Sequence, residues 1–413
     1  MAESNGQSIA DRLLNAKTQI QEKLESLKNQ EAPSYEIQGR IFKKILEEEQ
    51  SKQLANQIIF KGPRCTLPKD ARSAVDRAKS DTCKQEISDI TCAYIEDNNF
   101  SISTEVFHTS YRNSSAVILP TKVNYGCDTS PKKYKPSSAV ETYSQKHIDD
   151  LDPVKDSNIL KFDPQNPLRI CYHLILHGRS LRQVKRLFKA VYTEHDYYII
   201  HVDRRSLYLY HSLVELLEPF AFPNVAFQRN RFTPIWGGTS LLTTIKDAQR
   251  QALEQFRDWD YFINLSFADF PINHREKLRL YLLINNGKSF CKSHGRETEK
   301  FVRKQGLNKV FYECENRMWR LHHRGMPENL QINGGSDWFA LHRSLCEYAN
   351  SDANDGVLKE LNVWYNYTLL PAESYFHTLL QTSEYCHNYV DNNLRVTNWN
   401  RARGCKLEKL FFI

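Results

Sequence analysis

The sequence predicts an α/β fold: a mainly parallel sheet flanked by helices. Three observations carry that expectation. The apolar run Ile170 to Leu176 is followed by Leu181, Val184, Leu187, Phe188 and Val191 at helical spacing, then by a second apolar run, Tyr197 to Val202. Strand, helix and strand within about 35 residues make a βαβ unit. Two further strand-like runs follow, Asn224 to Gln228 and, after a helical stretch Thr239 to Phe256, Tyr261 to Leu265. The runs end in polar clusters, His177-Gly-Arg179, Asp203-Arg-Arg205 and Ser266 to Asp269. Ligands of such sheets bind outside the carboxyl ends of the strands, so these clusters are the first places to look for chemistry.

The chain before Arg169 reads differently. Ile9, Leu13, Ala16, Ile20, Leu24 and Leu27 share one helix face; Pro33 interrupts the pattern and Ile41 to Leu54 resumes it. Residues 1–60 therefore read as a helical stem. Residues 61–127 form a cysteine-bearing segment with a helix-like stretch from Ala71 to Cys92. Residues 128–168, rich in Pro, Ser, Lys and Asp, read as a linker. The α/β domain then spans 169–405, with a tail at 406–413.

Composition bounds the function. With 413 residues, 40% hydrophobic, 25% charged and 12% aromatic, the chain is not a disordered one. No apolar run reaches the roughly 18 residues of a membrane helix, and the polar start Met1 to Ala10 lacks a signal peptide's apolar core. As written, the chain reads as soluble, with no membrane contact. Its net charge of +7 fits an acidic partner or anionic ligand. No basic aromatic module of the nucleic-acid binders is present.

Ten cysteines include no CxxC pair and no zinc-finger spacing, so disulfides in an oxidising compartment are expected rather than a structural metal. The triplets Asn113-Ser-Ser and Asn366-Tyr-Thr, both glycosylation acceptors by pattern, lean the same way. A third, Asn264-Leu-Ser, lies in an apolar strand and is expected to be buried.

Several residues are candidates for chemistry. Asp203, at a strand end, can accept hydrogen bonds from a base or ribose; the competing reading is a helix N-cap or turn residue. Pro234-Ile-Trp-Gly-Gly-Thr-Ser240 leads into a helix, where glycines allow close backbone approach and free N–H groups can meet an anion; Trp236 alone reads equally as core. Asp258-Trp-Asp260 has the form of a metal-holding DxD, but it precedes a strand instead of following one and reads as a turn. After that strand Asp269 is a lone carboxylate, which favours a metal-free mechanism. Asp337 and Glu373 each stand in what reads as a loop of small or turn residues. Two such acids can supply a base and a sugar contact.

From Arg169 to about Gly404 these stretches resemble the peptide O-xylosyltransferases of the core-2/I-branching glycosyltransferases. The matching stretches include His177-Gly-Arg179, Tyr198-Ile-Ile-His-Val-Asp-Arg204, Ile235-Trp-Gly-Gly238, Phe262-Ile-Asn-Leu-Ser266, Lys292-Ser-His-Gly-Arg296, Arg303-Lys-Gln-Gly306, Gly335-Ser-Asp-Trp-Phe339, Thr368-Leu-Leu-Pro-Ala-Glu-Ser374 and the run from Val390 to Arg401. The segment with Cys65, Ala78-Lys-Ser80, Cys83 and Cys92 resembles the region before the family's catalytic domain.

The resemblance implies a GT-A-like fold. It implies transfer of xylose from UDP-xylose to a serine hydroxyl, with inversion and without a metal, on proteoglycan core proteins that present Ser-Gly with acidic flanks. By position, Ile175 and Asp203 would hold the uridine part, and Pro234, Ile235 and Trp236 would wall the nucleotide. Asp337 and Trp338 would meet the xylose and its diphosphate. Glu373 matches the catalytic base, with Asp337 second. No cofactor is implied beyond the donor. The family's address is the Golgi or ER lumen. The basic stretch Arg296 to Lys309 is a candidate for the acidic acceptor.

Two residues after Cys405, where the family has a second cysteine, this chain has Leu407, and the family continues with an Arg-Lys pair that grips the diphosphate and a further domain. A truncated, weak or inactive enzyme is therefore an expectation. A β-1,6-N-acetylglucosaminyltransferase and a non-catalytic UDP-sugar or core-protein binder are the alternatives.

Overall fold

The computed structural model describes residues 59–96, 168–220, 222–294, 303–327, 330–351 and 356–400, with the backbone of 406–412. Residues 1–58 of the expected stem, residues 128–167 of the linker, Asn113, Cys127, Cys405 and the start of the basic stretch at Arg296 lie outside the described residues. The described residues from Gly62 onward belong to one compact unit.

The strands are β1 (Ile170–Leu176), β2 (Tyr197–Val202), β3 (Val225–Phe227), β4 (Tyr261–Ser266), β5 (Asp269–Pro271), β6 (Ser289–Ser293), β7 (Lys309–Cys314), β8 (Arg317–His323), β9 (Gly335–His342), β10 (Tyr389–Val390), β11 (Arg395–Asn400) and β12 (Lys406–Phe412). Seven of them form the main sheet in the order β10-β6-β9-β4-β1-β2-β3. β1 pairs in parallel with both β2 and β4, β2 with β3, and β10 with β6; β9 alone runs antiparallel to its neighbours. The expectation of a mainly parallel sheet is met. β11, β12 and β5 form a small second sheet, and β7 with β8 a hairpin.

The helices are α1 (Lys69–Arg77), α2 (Asp81–Glu96), α3 (Leu181–Val191), α4 (Leu207–Leu217), α5 (Thr239–Gln255), α6 (Arg275–Ile284), α7 (Arg343–Ala349), α8 (Gly356–Tyr365) and α9 (Tyr375–Thr382). No helix among the described residues is long and apolar enough to cross a membrane. Successive strand residues point to opposite faces, and the sheet uses both. Ile170, Tyr172 and Leu174 of β1, with Tyr198 and Ile200 of β2, pack on α3, α4 and α6. Cys171, Ile199, Phe262, Phe339 and Leu341 pack on α5, α7, α8 and α9. Helices cover both faces of the sheet, and ligands of such sheets bind beyond the strand ends.

The helix-like stretch from Ala71 to Cys92 is two helices, not one. Ala78 turns to an extended backbone after α1. The amides of Lys79 and Ser80 at the break donate to the Glu315 carboxylate, which holds the chain open there. Two disulfides fasten this pair. Cys65–Cys92 closes it on itself, and Cys83–Cys314 ties it to the tip of the β7–β8 hairpin. Cys386 is disulfide-bonded as well. Cys171, Cys291 and Cys346 are free thiols buried in the core; burial raises each above its ordinary range, which leaves them inert.

Candidate active site

β1, β2 and β4 end along one edge, with Ile175 beside Ser266 and Leu176 beside Val202. Because β9 is antiparallel to β4, its first residues return to that same edge. Asn264 secures them: its Nδ2 donates to the Asp337 carbonyl at 2.8 Å and its Oδ1 accepts from the Phe339 amide at 3.1 Å. Gly335 is required there, since a Cβ would stand 1.9 Å from the Lys292 carbonyl oxygen. Asp337 and Trp338 thus sit on a strand, and the expectation of a loop is corrected; the Asn264 side-chain bonds and the pairing of Gly335 with Ser293 that hold them there are invisible in the local composition.

Ile175 is half-buried at the end of β1, and Asp203 is buried just past β2. Arg205 grips Asp203 with two guanidinium nitrogens and also donates to the Pro234 carbonyl at 2.8 Å. Burial opposes the charge on Asp203, but the bonds from the Arg205 side chain and amide outweigh it and hold the carboxyl below its usual range. The Asp203 side chain also accepts the Arg205 amide at 2.8 Å, as the turn reading expects. His177, at the end of β1, is exposed and stands edge-on to Phe267.

The loop Pro234 to Gly238 lies over the end of β2, held by Arg205 and by the Arg204 amide on the Phe232 carbonyl. Trp236 is 81% exposed, which removes the core reading. Gly237 has φ +78°, and its carbonyl accepts the Leu370 amide at 2.9 Å. One expectation fails here. The start of α5 does not offer free amides to an anion, because Glu313 occupies it, accepting from the Ser240 amide at 2.8 Å and the Thr239 hydroxyl at 3.1 Å. Gly238 makes room for that carboxylate; a Cβ would lie 2.4 Å from it. A negative side chain from β7 already meets the positive end of this helix.

Leu370 adopts φ 54°, and the chain turns from it through Pro371 to Glu373 into α9. Glu373 accepts from Gln305 Nε2 at 2.7 Å. Burial, then the nearby charge of Asp337, push its carboxyl up to about 7, against the opposing pull of Gln305 and Lys304. Asp337 is raised too, chiefly by burial and further by Asp269, while its own amide and Arg395 oppose the shift. The two acids that stand apart in sequence therefore share one electrostatic site. Below them Arg395 is buried, bonded to Asp269 and to the Asn264 carbonyl, with its guanidinium 4.7 Å from the centre of the Trp338 ring.

The structure links the candidates around this edge: Asp203 to Pro234 through Arg205, Gly237 to Leu370 through the backbone, and Glu373 to Asp337 through their fields. Asp258 and Asp260 are at the opposite edge. Asp260 accepts the Arg169 amide at 2.8 Å, and Asp258 pairs with the Arg169 guanidinium at 2.7 Å. Sequence reasoning missed Arg205, Gln305, Glu313 and Arg395. Gln305, Glu313 and Arg395 act through partners far along the chain, and Arg205, though it meets Asp203 two residues away, reaches Pro234 as well.

An open, mainly parallel sheet with acids gathered at the carboxyl ends of its strands defines a GT-A-like architecture. The chain belongs to the Core-2/I-Branching enzyme family, whose profile matches residues 170–409. It is 45% identical to the Xylosyltransferase of Ciona intestinalis over 348 residues, 84% of this chain and 36% of that protein. It is 40% identical to Xylosyltransferase 1 of Homo sapiens, over 84% of this chain and 32% of that protein. Against Xylosyltransferase oxt of Drosophila pseudoobscura pseudoobscura the identity is 37%, over 86% of this chain and 47% of that protein. The chain thus spans about a third to a half of the length of these relatives.

Proposed function

We propose that this chain carries the donor site and base of a protein xylosyltransferase, which moves xylose from UDP-xylose to a serine hydroxyl with inversion. The observation that carries this is Glu373: a half-buried carboxyl that accepts from Gln305 at 2.7 Å and is pushed up to about 7 by burial and by the charge of Asp337. A serine hydroxyl is a poor nucleophile until a base within hydrogen-bond reach takes its proton. Glu373 accepts that proton as the serine oxygen bonds to C1 and the bond from C1 to the diphosphate oxygen breaks. Asp337 and Trp338 face the sugar. Asp203 and Ile175 receive the uridine, and Pro234, Ile235 and Trp236 wall it. The relatives named xylosyltransferase support this reading.

In this reading the step needs no divalent cation. Asp258 and Asp260 stand at the far edge, held by Arg169, and Asp269 is engaged by Arg395 and Ser266. The acceptor is a core-protein serine followed by glycine, with acidic neighbours, in the lumen of the Golgi or ER.

The test is transfer of labelled xylose from UDP-xylose to a Ser-Gly peptide with acidic flanks, with calorimetry of UDP binding alongside. UDP binding and at least slow xylose transfer are expected. Faster use of UDP-N-acetylglucosamine would replace the sugar assignment, and absence of any UDP heat would remove the donor site itself.

A further inference from the structure

Among the described residues two Asn-X-Ser/Thr triplets stand, Asn264-Leu-Ser and Asn366-Tyr-Thr, and the fold treats them oppositely. Asn264 is 2% exposed. Both ends of its amide are committed to β9, and the Ser266 hydroxyl donates to Asp269 at 3.0 Å. A sugar on Asn264 Nδ2 would strip β9 from β4.

Asn366 lies just beyond the end of α8 and is exposed. Its backbone amide closes the helix on the carbonyls of Asn362 and Val363, each at 3.3 Å. Its side-chain amide makes no hydrogen bond among the described residues, so nothing in the fold is lost when a hydrogen on Nδ2 is replaced. The third residue of the triplet behaves differently. Thr368 is fully buried; its hydroxyl donates to the Trp364 carbonyl at 2.8 Å and accepts from Arg324 at 2.7 Å. An enzyme that reads the threonine hydroxyl cannot reach it in the folded chain, whereas the sugar it attaches has open solvent to occupy afterwards.

The Cys65–Cys92 and Cys83–Cys314 disulfides place the folding chain in an oxidising compartment, where asparagine-linked sugars are added. We propose that Asn366 is an N-glycosylation site, modified before the end of α8 packs, and that Asn264 is not. The co-reactant is an oligosaccharide linked to a lipid diphosphate. Asn366 Nδ2 bonds to its anomeric carbon, the bond from that carbon to the diphosphate oxygen breaks, the lipid diphosphate leaves, and the amide proton passes to the transferring enzyme's base. The sugar would then flank the outer side of β7, where the Tyr367 carbonyl accepts the Phe311 amide at 2.9 Å. A bulky hydrophilic group there keeps another strand from adding to the hairpin.

This inference is independent of the xylosyl reaction. The experiment directs the full chain into the secretory pathway of cultured animal cells and purifies it. Peptide:N-glycosidase in heavy-oxygen water is followed by peptide mass spectrometry. The expected result is a heavy-labelled aspartate at position 366, an unmodified Asn264, and a mobility shift from this site that Asn366→Gln abolishes while UDP binding is unchanged. Thr368→Ser, which keeps both the hydroxyl and the pattern, retains the modification. An unlabelled Asn366 in protein whose Cys83–Cys314 bond is intact overturns the proposal. Free thiols at those cysteines overturn it as well, by removing the compartment, and a labelled Asn264 overturns the role given to burial.

Discussion

In the proposed reaction Glu373 is the base, and it would set the pH behaviour of the rate. A base must be ionised to accept a proton, and this carboxyl is half-protonated near 7. The rate with donor saturating should therefore fall about tenfold per pH unit below that value. Glu373→Gln should cut turnover by about 10²–10⁴-fold and leave UDP affinity nearly intact; retained turnover would move the role to Asp337. The same substitution has a second, independent reading. The folded pKa lies above the ordinary 4.5, so ionisation weighs against the native state above about 7 and has no effect below 4.5. Glu373→Gln should raise Tm well above pH 7 and leave it nearly unchanged below pH 4.5, as thermal melts at the two extremes would show. At this scale the sequence was partly legible. Asp203, Asp337 and Glu373 could be picked out from short stretches, but the approach of Glu373 to Asp337 is a product of the antiparallel return of β9. The grip of Arg205 on Asp203 reaches on to Pro234, far along the chain.

At the level of elements, the βαβ units were readable because apolar runs and helical spacing are local. Those local patterns left unread the supply of one element's cap by another. Glu313 belongs to β7 and caps α5. Replacing it with alanine should destabilise the protein by about 0.5–2 kcal/mol, the range for a lost cap, measured by denaturant unfolding. It should also weaken UDP binding through the Trp236 loop, whereas Glu313→Gln, which can still accept both bonds, should restore much of each. Equal loss in both variants would show that charge, not geometry, is what α5 needs. The break between α1 and α2 was missed for a similar reason: its stabilising carboxylate, Glu315, is supplied by the turn between β7 and β8.

Across the whole molecule, the cysteines predicted an oxidising environment but not their partners, since pairing depends on the fold. Cys83–Cys314 closes a sequence separation of 231 residues. Bonds of this kind stabilise by restricting the unfolded chain. Cys83→Ser with Cys314→Ser should lower unfolding free energy by about 2–4 kcal/mol, read as a lower guanidinium midpoint. An unchanged midpoint would mean that the contacts between α1 and β8 hold the segment unaided.

The fastening between Cys83 and Cys314 also bears on where this protein can be cut. The family profile begins at residue 170, and an expression boundary drawn there would discard the partner of Cys314. The orphaned sulfur would be left at a hairpin tip, ready to cross-link neighbouring molecules, and Glu315 would lose the two amides it now engages. The smallest independently handled piece should therefore start ahead of Cys65, so that both sulfur bridges travel with the sheet and its strand ends.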